Sequence, residues 1–251
     1  MRRLFALVLL LSLAAASPLE ARLYALWGQG EAGAGLWTAF ELRPGVRGEA
    51  GLALLSPGEV AWGLGLDLSL PPTPAGRAAG GLRASLGPET SWEAYAEGSF
   101  GPVAARLGTS SGCPWWRAYC RQATELAVRY RATRREVYTL TLATWGHELV
   151  FEHRASPYSG EAAGFGLDHK NGPYVVLGER FGTPRAVAEV RLRLGPVPAL
   201  WLKASDGRTR FSLFLSTRRE ARLALEHKTL RFELGYQEEA ARVLLSYALF
   251  P

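Results

Sequence analysis

From Arg22 onward, apolar and polar residues alternate along the chain. The clearest run is Val60 to Leu70. Val60, Trp62, Leu64, Leu66, Leu68 and Leu70 fall on one side; Ala61, Gly63, Gly65, Asp67 and Ser69 fall on the other. A period of two sustained this long is a β-strand with one apolar face, because helical side chains repeat near every 3.6 residues. The same alternation recurs with charged residues on the polar side. Ala50, Leu52 and Leu54 oppose Arg47 and Glu49; Leu82, Ala84 and Leu86 oppose Arg83; Trp92, Ala94, Ala96 and Phe100 oppose Glu93 and Glu97. Further along, Leu126, Val128 and Tyr130 oppose Arg129 and Arg131; Val190 and Leu192 oppose Glu189, Arg191 and Arg193; Leu230, Phe232, Leu234 and Tyr236 oppose Arg231 and Glu233.

Turn signals separate these runs at short intervals: Arg43-Pro44-Gly45, Ser56-Pro57-Gly58, Gly101-Pro102, Asn171-Gly172-Pro173 and Asp206-Gly207. Pro and Gly there supply backbone conformations that a strand interior refuses. The count comes to about 18 strands of roughly 8 to 12 residues, least regular between Glu148 and Phe181. No composition shift marks a linker, so residues 22–251 read as one all-β domain.

Two architectures use such alternation. A soluble sandwich buries the apolar face, as a secreted or periplasmic binding protein would; a transmembrane barrel turns that face to lipid and its polar face to a lumen. Strand number and a uniform length near that of a tilted membrane-crossing strand favour the barrel. So do the aromatics at segment ends: Trp27, Trp37, Trp62, Trp92, Phe100, Tyr130, Trp145 and Tyr236. An aromatic ring with one polar group suits the membrane–water boundary. Closing the sheet also removes edges that so many apolar strands would expose. The expectation is an antiparallel, up-and-down transmembrane β-barrel of about 16 to 18 strands.

The first 21 residues read as an export signal. Arg2 and Arg3 precede the apolar run Leu4 to Leu13, and Ala14, Ala15 and Ala16 offer a cleavage site; Ala21 is a second one. In an exported chain, Cys113 and Cys120, the only cysteines, are expected to pair. With export signal, alternating segments, tight turns and Phe250 near the C-terminus, the chain resembles the outer-membrane β-barrel proteins of diderm bacteria. The resemblance is to that class as a whole. It implies contact with outer-membrane lipid and with an assembly machinery that reads a C-terminal aromatic, although Pro251 follows Phe250 here.

The longest connection, about 109–122, is seventh in order and holds Trp115, Trp116 and Tyr119 with both cysteines. With the N-terminus in the periplasm it lies on the outer side, where long loops belong. It reads either as a rigid surface loop presenting its aromatics or as a stapled loop packed over the barrel mouth. The inward charges read as a water-filled path that an excess of Arg would make anion-preferring, or as a lumen closed by Arg–Glu pairs.

The formal net charge of +6 changes little in this picture. Only Lys170, Lys203 and Lys228 are lysines, so 26 of the 29 basic residues are Arg, as a GC-rich genome favours. Scarce Asn, Met and Cys also suits a protein kept hot. The basic residues are spread along the chain among Glu, which excludes a nucleic-acid face. Catalytic patterns are thin. His153, Ser156 and Glu161 are a loose match to outer-membrane lipid hydrolases, but residues three apart on a strand face opposite ways. Asp168-His169-Lys170 reads as a turn edge. No cofactor and no metal ligand set is expected.

Overall fold

The computed structural model describes residues 18–28, 31–120, 122–237 and 239–249. The export signal and Phe250 lie outside the described residues, apart from 18–21. Eighteen strands follow one another. They are β1 (Pro18–Gly28), β2 (Glu31–Arg43), β3 (Val46–Leu55), β4 (Glu59–Ser69), β5 (Gly76–Leu86), β6 (Ser91–Phe100), β7 (Val103–Ser111), β8 (Thr124–Arg131) and β9 (Glu136–Ala143). Then come β10 (Gly146–His153), β11 (Gly160–Asp168), β12 (Gly172–Gly182), β13 (Val187–Leu194), β14 (Ala199–Ser205), β15 (Thr209–Ser216), β16 (Glu220–His227), β17 (Leu230–Gln237) and β18 (Ala240–Ala248). Each pairs antiparallel with its neighbours in sequence, and β1 pairs with both β2 and β18, so the sheet closes. The stretch 148–181, least regular in sequence, forms β10 to β12 in continuous register. The first strand begins at Pro18, four residues ahead of the expected start.

Register carries the alternation around the barrel. Gly48, Leu66 and Leu82 are direct cross-strand partners on the outside; Glu49, Gly65 and Arg83 are partners on the inside. A slip of one residue in any strand would turn its charges to the outside, so the pattern itself specifies the register. Leu54, Leu64, Leu66, Leu68, Leu82, Leu140, Leu177, Leu192 and Leu225 are all exposed on the outer face. So many bare leucines on a closed sheet make a belt that only an apolar surrounding accommodates.

Aromatics edge the belt at both ends. Trp27, Trp62, Trp92 and Tyr236 point outward at the end opposite the termini; Phe100, Tyr130, Tyr138 and Tyr247 point outward at the termini end. Trp92 and Phe100 sit on one strand, β6, eight steps apart. At about 3.3 Å per step and a tilt near 40° the two rings stand about 20 Å apart along the barrel axis, close to the height of a barrel's lipid-facing band.

Two of the eight predicted girdle aromatics face the other way. Trp37 pairs in register with Gly51 and Arg22 and points into the lumen, 8% exposed. Trp145, in the β9–β10 turn, packs against the inward cluster of Val150, Tyr174 and Val176. Trp37 is the seventh of the 13 residues of β2, mid-strand and not at a segment end, and parity places it inside.

Candidate functional site: the lumen and its docked loop

Every connection but one has six residues or fewer. The exception, 112–123 between β7 and β8, folds inward across the far mouth. Cys113 and Cys120 are bonded, with Cα atoms 5.3 Å apart. Between them Trp115 is buried at 4% exposure, edge-on to Tyr24 (centroids 5.6 Å apart) and to Trp116 (5.3 Å). Trp116 lies 4.4 Å from the Trp37 ring. These rings rest on a floor without side chains. A Cβ at Gly35 or Gly51 would strike Trp115 or Trp37, one at Gly63 would strike Trp37 and Trp116, and one at Gly235 would strike the Ala118 backbone. Inward glycines thus clear the wall for the loop, which is a physical reason for Gly where a lumen residue would otherwise be polar.

Polar contacts hold the loop on both sides. The Ala118 N–H donates to Glu233 Oε2 at 3.2 Å, and Arg117 reaches Glu93 at 2.7 Å. Glu233, 1% exposed, also receives Arg222 (2.7 Å) and Arg231 (2.6 Å). A carboxylate this deep is tolerable because two guanidiniums and an N–H satisfy it. Tyr119 meets Phe214 on β15 (6.3 Å). The loop therefore touches β1, β2, β4 and β6 on one side and β15 and β17 on the other. Trp115 and Trp116 are not presented at the surface: three large rings and a glycine floor bury more apolar area together than apart.

Below the loop, the lumen charges sort by wall. On β3 to β6, one guanidinium meets three carboxylates: Arg83 Nε lies 2.6 Å from Glu49, its Nη2 2.6 Å from Asp67 and its Nη1 3.5 Å from Glu93. Tyr95 donates to Asp67 at 2.9 Å. Arg47 bridges Glu20 (3.1 Å) and Glu49 (3.4 Å). On β8 to β13 the ratio reverses. Glu152 is met by Arg129 (3.7 Å), Arg154 (3.3 Å) and Arg191, and Arg191 also holds Glu189 at 2.7 Å. Arg180, Lys203 and Arg210, inward on β12, β14 and β15, make no ion pair among the described residues. With 18 strands, β3 to β6 stand across the lumen from β12 to β15. Acidic excess faces basic excess, so a field runs across the lumen.

Toward the far rim, Arg193 stacks on Tyr174 (3.7 Å from its ring centre) and holds Asp168 at 3.0 Å, while the Tyr174 hydroxyl donates to Glu148 at 3.1 Å. Glu97 pairs loosely with Arg106 (3.9 Å), and Arg131 points inward opposite Val137. Nearer the termini end, below the far-rim groups, lies a cavity of about 930 Å³. Arg77, Arg106, Arg129, Glu152, Arg180 and Arg191 are among its lining residues. Arg77, Arg106, Arg180 and Lys203 carry the same parity signal as the other lumen charges.

A hydrolase arrangement is not assembled. His153 and Glu161 are register partners facing outward, whereas Ser156 lies in the turn 154–159, its Oγ accepting N–H bonds from Tyr158 (3.1 Å) and Ser159 (3.0 Å).

No protein-family model and no curated protein matches the chain. Among solved structures, the chain is similar to two engineered variants of the Rhodopseudomonas blastica porin. One has 7% identity, 92% of this chain and 98% of that chain covered, and a TM-score of 0.47; the other has 10%, 92%, 98% and 0.48. The outer membrane protein Omp33 of Acinetobacter baumannii matches at 8% identity over 92% of this chain and 99% of that chain, with a TM-score of 0.34. The barrel assignment rests on the closed strand pairing described above.

Proposed function

We propose that this chain is a passive pore of the bacterial outer membrane, weakly anion-preferring, with its outer mouth narrowed by the 112–123 loop. The observation that carries the reading is a charged cavity of about 930 Å³ inside a closed barrel whose outer face is bare leucine. A barrel of 16 to 18 strands is wide enough for a water-filled path. Lipid is then the partner of the outer face, and the outer-membrane assembly machinery is the partner during insertion. The termini end faces the periplasm, which puts the longest loop outside. The anion preference rests on Arg180, Lys203 and Arg210, cations with no ion pair within 4.0 Å among the described residues, which outnumber the two carboxylates, Glu189 and Glu226, lining the same space. No covalent step is part of this function.

A second reading, a structural barrel without conductance, is favoured by one feature: the loop closes over the mouth while Arg–Glu networks fill much of the wall. Planar-bilayer recording of the refolded protein under a salt gradient separates the two. Steps of conductance with a reversal potential on the anion side support the pore. Silence, both in the parent and in a variant with the loop undocked, supports the structural barrel.

A further inference from the structure

Two of the chain's four histidines meet at the far rim, on the outside of the barrel. His147 is the second residue of β10 and faces outward. His169 opens the three-residue turn between β11 and β12. Their Nε2 atoms stand 3.2 Å apart, with ring centroids at 4.8 Å and planes at 78°. Both rings are exposed.

The backbone holds the pair in place. The His169 N–H donates to the Trp145 carbonyl at 3.0 Å, which ties the β11–β12 turn to the β9–β10 turn. Within the turn, the N–H groups of Lys170 (3.0 Å) and Asn171 (3.1 Å) donate to Asp168 Oδ1, and Asn171 Nδ2 donates to the same oxygen at 2.6 Å. Asp168 is in turn held by Arg193. The turn is therefore anchored to the lumen wall, and His169 is delivered to His147 by contacts neither imidazole makes itself.

We infer that His147 and His169 form an exposed two-histidine site for a borderline divalent cation such as Zn²⁺, Ni²⁺ or Cu²⁺. Imidazole nitrogens bind such ions at about 2.0 to 2.1 Å, and two of them on a tetrahedral ion stand about 3.3 to 3.4 Å apart. The observed separation is within about 0.2 Å of that without moving the backbone. Imidazole suits Zn²⁺, Ni²⁺ and Cu²⁺, whereas Ca²⁺ and Mg²⁺ take oxygen ligands. No group of three or more His, Cys, Asp or Glu suited to a metal exists among the described residues, so water completes the coordination. Lys170 beside His169 opposes the cation, and Asp168 is already spent on Arg193 and Arg218. The expected affinity is that of a two-ligand chelate. A bound ion would bridge β10 to the β11–β12 turn and brace the rim.

The test uses the refolded full-length barrel in chelator-free detergent at pH 7.5. Titration calorimetry with Ni²⁺ is expected to show one saturable site, weakened tenfold or more by His147→Ala and likewise by His169→Ala, and unchanged by His227→Ala. Cu²⁺-loaded protein should show two imidazole nitrogens by electron paramagnetic resonance, falling to one in either variant. A parent without saturable Ni²⁺ binding, or one whose binding survives His147→Ala intact, overturns the site. Because the readout is metal binding, it stands or falls apart from conductance.

Discussion

Truncating Trp115 asks whether the inward loop constricts the path or merely sits in it. The indole is 4% exposed among Tyr24, Trp37 and Trp116, over Gly35 and Gly51. Replacing a buried Trp by Ala costs about 3–5 kcal/mol. Against this, the Trp115 indole N–H is buried with no acceptor among the described residues. Removing an unmet donor returns about 1–2 kcal/mol. The net is about 1–4 kcal/mol against the docked loop, or roughly a 5- to 700-fold shift toward undocking at about 1.4 kcal/mol per tenfold. The disulfide keeps the loop compact, so the change falls on docking and not on the loop's own shape. Trp115→Ala is expected to raise single-channel conductance or to add a second, larger level, while gel mobility before and after boiling still reports a folded barrel. Glu233→Gln is the companion. It keeps an acceptor for the Ala118 N–H but removes the charge that two Arg share, and it should shift conductance the same way. If both variants fold and conduct as the parent does, the loop is not the constriction.

Three further outcomes follow from the same geometry. Leu66→Arg, exposed on the outer face between Gly48 and Leu82, should lower stability in lipid vesicles by about 2–4 kcal/mol, read by denaturant unfolding; efficient monomeric folding of the parent in plain buffer contradicts a lipid-facing belt. Single cysteines at Glu189, Arg191 and Arg193 should react with a membrane-impermeant thiol reagent while those at Val190 and Leu192 stay protected, since the native pair is bonded; equal labelling at all five positions refutes the faces. The mature N-terminus should be Ser17, because a cut after Ala21 would remove Glu20, which binds Arg22 and Arg47; Edman sequencing of the exported protein that begins at Arg22 refutes it.

How far the chain alone reaches depends on how local each property is. Strand parity is local: each residue's face follows from its neighbours two positions away. That is why the lumen residues Arg47, Glu49, Arg83, Glu93, Arg129, Glu189, Arg191, Arg231 and Glu233 could be picked from sequence, and why the number of strands followed from turns every ten residues or so. The apolar belt followed for the same reason. What parity cannot say is which residues distant in sequence meet across the lumen. Trp37 sits mid-strand in β2 and Trp115 in the β7–β8 loop, and only closure of the sheet brings them together over Gly35, Gly51 and Gly63. The inward glycines looked like small polar-face residues; their purpose is visible once the rings above them are. Wall asymmetry is equally nonlocal. It arises because closing 18 strands sets β3 to β6 across from β12 to β15, and no window of sequence contains both. His147 and His169 meet more locally, across the register of the adjacent strands β10 and β11 and through two turns tied by a backbone hydrogen bond. Short-range alternation thus determined the barrel and its two faces, whereas ring closure and the loop's choice of side decided the shape of the lumen.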